Sequence, residues 1–147
     1  MKVVKIIQWD MGHRVLNHRS ICKGLHGHRY RAEICFEGDL VTEKGVSEEG
    51  MVVDFSDIKK MALREVQEKL DHGFMVWDKD SELIQFFQQS EGHKPVYVPF
   101  TPTAENVAKF IFEQLDGKLS DRYGTGLHLH SVKLWETPSS CAIIKKT

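Results

Sequence analysis

The order of its patterned segments constrains this chain most: extended alternations stand in pairs at either end, and amphipathic helices lie between them. Lys2 to Trp9 is rich in Val and Ile and alternates loosely between apolar and polar side chains. Tyr30 to Phe36 alternates more strictly, with Tyr30, Ala32, Ile34 and Phe36 set against Arg31, Glu33 and Cys35. A period of two belongs to a strand with one buried face. Two more strands are predicted later, Leu127 to Trp135 and Cys141 to Ile144, joined by the turn-forming loop Glu136-Thr137-Pro138-Ser139-Ser140.

Between the pairs, Phe55, Ile58, Ala62, Val66 and Leu70 recur at helical spacing, with Asp54 or Ser56 as a cap. Thr103 is the expected N-cap of a second helix, whose inner face is Ala104, Val107, Ala108, Ile111 and Leu115 and whose end lies near Gly117. The stretch between them is less regular. Asp71 to Trp77 lacks a period, Ser81 to Gln89 has the length of a short helix, and Pro95 to Phe100 is extended between prolines. Helices segregated from hairpins predict an α+β fold, a four-stranded antiparallel sheet carrying two main helices on one face.

Length and charge narrow the function. The 147 residues suit one domain, 1–147, with no repeat or linker. Twenty Lys and Arg against 21 Asp and Glu leave a net charge of −1, so no global attraction to nucleic acid or to an anionic membrane is expected. An anionic ligand would need local groups. No apolar run approaches the ~18 residues of a membrane span, and Met1-Lys2-Val3-Val4-Lys5 lacks the pattern of a secretory signal. Three cysteines, Cys22, Cys35 and Cys141, are then expected to be reduced thiols of a cytoplasmic protein.

The densest chemistry lies in Cys22-Lys23-Gly24-Leu25-His26-Gly27-His28. On an extended segment His26 and His28 project to the same side, with Gly27 leaving the backbone uncrowded between them. If the first two strands pair as a hairpin, His13 converges on them. Three neutral imidazoles with one position open is the donor set of a catalytic zinc. The same spacing also serves ordinary surface or hydrogen-bonded histidines. A second such pair, His128 and His130, has nothing catalytic around it and reads as a strand face, while His18 and His93 read as surface residues.

Asp71 and His72 close the first helix. A carboxylate beside an imidazole orients the ring and raises its basicity, and a thiol near such a pair, here Cys22, becomes a base or nucleophile. Equally, the pair can simply decorate a helix C-terminus, and Cys22 can be a small buried hydrophobe. Glu136 and Thr137 read either as solvated turn residues or as a carboxylate accepting two N–H bonds from a heterocycle edge.

Taken in order, Gly12-His13, Cys22 followed by His26-Gly27-His28, Gly50-Met51-Val52-Val53-Asp54-Phe55, Leu70-Asp71-His72, Pro102-Thr103-Ala104-Glu105-Asn106 and Trp135-Glu136-Thr137 resemble the 6-pyruvoyltetrahydropterin synthase superfamily nearly end to end. The spacing of Cys22 to the histidine pair is similar to that of its bacterial 6-carboxytetrahydropterin synthase branch, which acts early in queuosine and related 7-deazapurine biosynthesis. In folate-pathway relatives a glutamate replaces the cysteine, and Lys23, Gly24 and Leu25 offer none.

The resemblance implies the tunnelling fold, in which such sheets join into a barrel within a trimer and two trimers stack into a homohexamer. It implies a lyase that holds Zn2+ on His13, His26 and His28 and acts on a pterin triphosphate. By the same resemblance Cys22 would be the base, with Asp71 and His72 moving protons, and Glu136 would anchor the pterin, helped by Thr137 or Thr103. The triphosphate needs cations, and Arg14, Lys23 and Arg29 lie near the motifs. The sister 6-pyruvoyl activity and a non-catalytic pterin-binding role are the competing expectations. Phe74 to Phe100 is longer than in the shortest family members.

Overall fold

The structure, a computed structural model, describes residues 1–124 and 126–146. Strands β1 (Lys2–His13) and β2 (His26–Gly38) form a long antiparallel hairpin. β5 (Leu127–Thr137) pairs with β2, and β6 (Ser140–Lys145) with β5, both antiparallel. On the other side of β1 lie β3 (Gly73–Trp77) and β4 (Pro95–Val98), each parallel to its neighbour. The sheet order is β4-β3-β1-β2-β5-β6.

The expected four-stranded antiparallel sheet is therefore corrected to a mixed sheet of six strands. The two extra strands are short and parallel, and β3 buries Gly73, Met75 and Val76 with no alternation between faces. Parallel strands covered on both sides read as continuous apolar runs, which is why Asp71 to Trp77 shows no period. Pro95 stands first on β4, the sheet edge, where its missing N–H is tolerated.

The helix over 55–70 starts as α1 (Phe55–Ala62), capped by Asp54, whose carboxylate accepts the Ser56 N–H at 2.6 Å. It then widens through a π-helical turn (Leu63–Gln67) and closes as α2 (Glu68–Leu70). Helix α3 spans Ser81–Gln89. Helix α4 (Ala104–Tyr123) begins at the Thr103 cap and runs past Gly117, so its expected end is corrected to Gly124. Leu119 is buried beyond Gly117, and that apolar contact outweighs the glycine's weak helix propensity.

One core joins these layers. Ile7, Trp9 and Met11 of β1 and Tyr30, Ala32, Ile34 and Phe36 of β2 meet Ile58, Val66 and Leu70 from the first helix and Val107, Ile111 and Leu115 from α4. A β-bulge opposite Cys35 and Phe36 shifts the register of β5, so that Leu127 and Leu129 before it and Val132 and Leu134 after it all face inward. Among the described residues no helix is long and apolar enough to cross a membrane.

Arg14, just after β1, forks onto Asp80 at 2.7 and 2.6 Å and reaches Glu82 at 2.8 Å. Asp80 is 2% exposed and also caps α3. Asp80→Ala is expected to lower unfolding free energy by about 3 kcal/mol at neutral pH, because it removes the α3 cap and leaves a mostly buried guanidinium with only the exposed Glu82 as a partner. The Arg14 guanidinium holds the Asp80 carboxyl below its ordinary value of 3.8. A depressed acid stabilises above its unfolded pKa, so the difference between parent and variant in urea denaturation shrinks as pH falls below about 4.

Candidate active site

The inward faces of β1 and β2 are apolar over most of their length, but at the end of β1 and the start of β2 imidazoles replace hydrocarbon. His13 lies directly opposite His26, Met11 opposite His28 and Trp9 opposite Tyr30. The hairpin that buries the core thus brings His13, His26 and His28 together at the end of the sheet. One ring nitrogen from each lies within 4.8 Å of the others. The ring centroids are 4.6, 5.0 and 5.2 Å apart.

The tautomers follow from the partners. The Nδ1 of His13 sits 2.6 Å from the Pro102 carbonyl, and that of His26 2.8 Å from the Gly24 carbonyl. A carbonyl only accepts, so each Nδ1 donates and each Nε2 keeps its lone pair. The Nε2 of His28 is buried and has no hydrogen-bond partner among the described residues. Burial pushes the pKa of both His13 and His28 down, against the pull of Glu136. Burial thus biases both His13 and His28 toward the neutral form that a metal ligand must have. Three converging imidazoles, two of them oriented by carbonyls and the third with an orphaned buried nitrogen, fit a metal ion that keeps an open position.

Glu136 closes the cluster, its carboxylate oxygens 3.9 Å from the Nε2 atoms of His13 and His28. The sequence pattern puts this residue in a turn. The structure corrects this: β5 runs on through Thr137, and only Pro138 and Ser139 turn. A polar pair ending an apolar strand carries no period of its own. The Tyr30 hydroxyl lies 3.5 Å from Glu136, and burial, then Glu136, raises the phenol's pKa, so it stays protonated and donates.

Cys22 returns to the cluster on a tight turn, Ile21–Lys23, after Val15 N–H bonds the Cys22 carbonyl at 2.8 Å. A cavity of about 350 Å3 is lined by His13, Cys22, His26, Thr103, Glu136 and Cys141. Thr103 also caps α4, accepting the Asn106 N–H at 3.4 Å. On the other side of Glu136, His28, Arg31, Trp135 and Thr137 line a groove of about 580 Å3.

Asp71 and His72 do not line the cavity of Cys22. They lie where α2 meets β3, the Asp71 carboxylate 3.0 Å from His72 Nδ1. His72 lines a separate cleft of about 500 Å3 with Asp10, Gly27, His28, Arg29 and Gly73. The two clefts are bordered by different members of one histidine cluster. Of the cations near the motifs, Arg14 is committed to Asp80, Arg29 pairs with Asp10 at 2.7 Å, and Lys23 is exposed.

Sequence reasoning missed Tyr30 and the Pro102 carbonyl. Tyr30 continues the alternation of His26 and His28, and that was a readable signal. The Pro102 carbonyl left none, since its role depends on where α4 begins in space. His128 and His130 lie on β5 against Glu37, as expected of a strand face.

The sequence profile of the 6-pyruvoyl tetrahydropterin synthase family matches residues 2–147. The chain belongs to this family. Among its relatives, the 6-carboxy-5,6,7,8-tetrahydropterin synthase of Haemophilus influenzae is 35% identical over 142 residues, covering 95% of this chain and 94% of the relative. The protein of the same name from Rickettsia bellii is 36% identical over 139 residues, covering 95% and 96%. Solved structures share the fold. An uncharacterised protein of Wolinella succinogenes superposes with a TM-score of 0.80 at 24% identity, over 100% of this chain and 98% of the other. The 6-pyruvoyl tetrahydropterin synthase of Plasmodium vivax gives 0.71 at 17%, over 99% and 98%.

Proposed function

We propose that the protein is a zinc-dependent 6-carboxy-5,6,7,8-tetrahydropterin synthase, a carbon–carbon lyase. It converts 7,8-dihydroneopterin triphosphate and water into 6-carboxytetrahydropterin, acetaldehyde and triphosphate. The observation that carries this reading is the half-buried Cys22 thiol sharing one cavity with His13, His26 and Glu136. Binding a pterin needs no base. The relatives named 6-carboxy-5,6,7,8-tetrahydropterin synthase support the same product.

Glu136 accepts the ring N–H and exocyclic amino group of the pterin, and the Tyr30 hydroxyl beside it holds the carboxylate in place. Thr137, in the adjoining groove, and Thr103, in the cavity, are auxiliary contacts. His13, His26 and His28 hold Zn2+, which when bound supplies Lewis acidity toward the substrate's side-chain hydroxyls. Cys22 takes a proton from the side chain as general base. Asp71 holds His72 by its Nδ1 and leaves the other ring nitrogen free to give or take a proton. Each proton taken from a side-chain carbon leaves its C–H electron pair in the substrate, and that pair passes through the conjugated system as the ring is protonated, so the side chain is oxidised, the ring is reduced and no external redox cofactor is required.

The working form is a cytoplasmic homohexamer of two trimers, its product feeding queuosine and related 7-deazapurine biosynthesis. Supporting assembly, β4 and β6 each leave an open sheet edge, and Val4, Ile6 and Ile143 are exposed apolar side chains on the outer face. Mass spectrometry after incubation with 7,8-dihydroneopterin triphosphate tests the function. The 6-carboxy product is expected. A 6-pyruvoyl product identifies the sister activity, and bound but unchanged pterin would overturn catalysis.

A further inference from the structure

The excursion from α3 to β4 has no part in the chemistry above, yet it reaches the turn that carries Asp71 and His72. His72 has φ +57°, alone among the described non-glycine residues at positive φ. A residue with a β-carbon occupies that region only where its surroundings hold it. Packing does not hold it, since the His72 side chain is 82% exposed. Hydrogen bonds must.

Two come from β1. The Asp10 N–H bonds the Asp71 carboxylate at 3.0 Å, and the His72 N–H bonds the Asp10 carbonyl at 2.8 Å. The opposite side is held by one side chain. The Lys94 ammonium donates to the Glu68 carbonyl at 2.6 Å and to the Asp71 carbonyl at 2.9 Å, closing the end of α2, where carbonyls lack helical partners. Lys94 is itself fixed, because the Phe74 N–H bonds its carbonyl at 2.9 Å. Phe87 of α3 packs on Phe74 and His93, each 5.6 Å between ring centroids, which braces the segment before Lys94. Gly73 seals the arrangement: a β-carbon there would lie 2.8 Å from the Leu70 carbonyl.

We infer that Lys94 is a positioning residue for the reaction, holding the left-handed turn that aims the Asp71 and His72 pair. The inference rests on the proposed proton-transfer role of that pair. The excursion then serves to mount one ammonium against a helix end beside the reacting groups. The Lys94 ammonium is engaged by two backbone carbonyls, so its removal should act on turnover rather than on binding.

Lys94→Met and Lys94→Arg, made in the full metal-loaded chain, test this. Lys94→Met is expected to lower kcat roughly 10- to 100-fold, the scale of a misplaced catalytic group. KM and metal content should stay near parental values. Lys94→Arg, which can still donate to both carbonyls, should restore most of kcat. Backbone amide exchange over residues 70–74 should quicken in Lys94→Met and return toward the parent in Lys94→Arg. Parental kcat in Lys94→Met, a loss that arginine does not rescue, or unchanged exchange overturns the inference. His72→Ala with intact turnover would instead sink the proton-transfer reading, leaving the exchange result to decide the role of Lys94.

Discussion

Cys22→Ala should turn over 7,8-dihydroneopterin triphosphate ~10²–10⁴-fold more slowly than the parent, the usual cost of losing a general base. Its metal content should not change. The cluster that can hold a metal consists of His13, His26 and His28, and Cys22 is not a member, although it lines the same cavity as two of them. Removing one sulfur from a half-buried turn also leaves the core untouched, since none of the residues of that turn is buried. Steady-state rates and elemental analysis of one preparation therefore separate the two possible roles. Parental turnover in the variant would remove Cys22 as the base. Slow turnover together with lost metal would make it a ligand.

His26→Ala should do the reverse and empty the metal centre. Zinc at a catalytic site is held by three protein ligands, so two imidazoles leave it half bound. Losing a hydrogen-bonding partner of a ligand already costs ~10–100-fold in metal affinity, and losing the ligand itself should cost more. Protein purified without added metal and dialysed against a mild chelator should hold about one metal ion per chain in the parent and near none in the variant. His130→Ala is the matched control. It removes a histidine from the other His-x-His pair, where the ring faces Glu37 at 3.2 Å. Metal retained by His26→Ala would overturn the ligand assignment.

Much of this site was legible because β1 and β2 obey a period of two. Once Trp9 and Tyr30 face inward, His13, His26 and His28 must follow, and the hairpin register brings them together. The helix starts were equally readable, as Asp54 and Thr103 cap by side-chain chemistry that needs no tertiary information. Where the fold overrode local signals, reading failed. β3 and β4 form only because β1 offers an edge to pair with, and their sequences carry no alternation to announce it. Glu136 is strand rather than turn because β6 pairs back as far as Thr137. The separation of His72 from the cavity of Cys22 is a matter of topology, set by where α2 ends against β1, and neither residue's neighbours encode it.

The ratio of acetaldehyde to triphosphate released from 7,8-dihydroneopterin triphosphate tests the proposed reaction in one number. The proposed chemistry predicts equal amounts of both in the metal-loaded parent. Triphosphate without acetaldehyde would show elimination that spares the side chain and contradict the carbon–carbon cleavage, and release of neither would contradict catalysis on this substrate altogether.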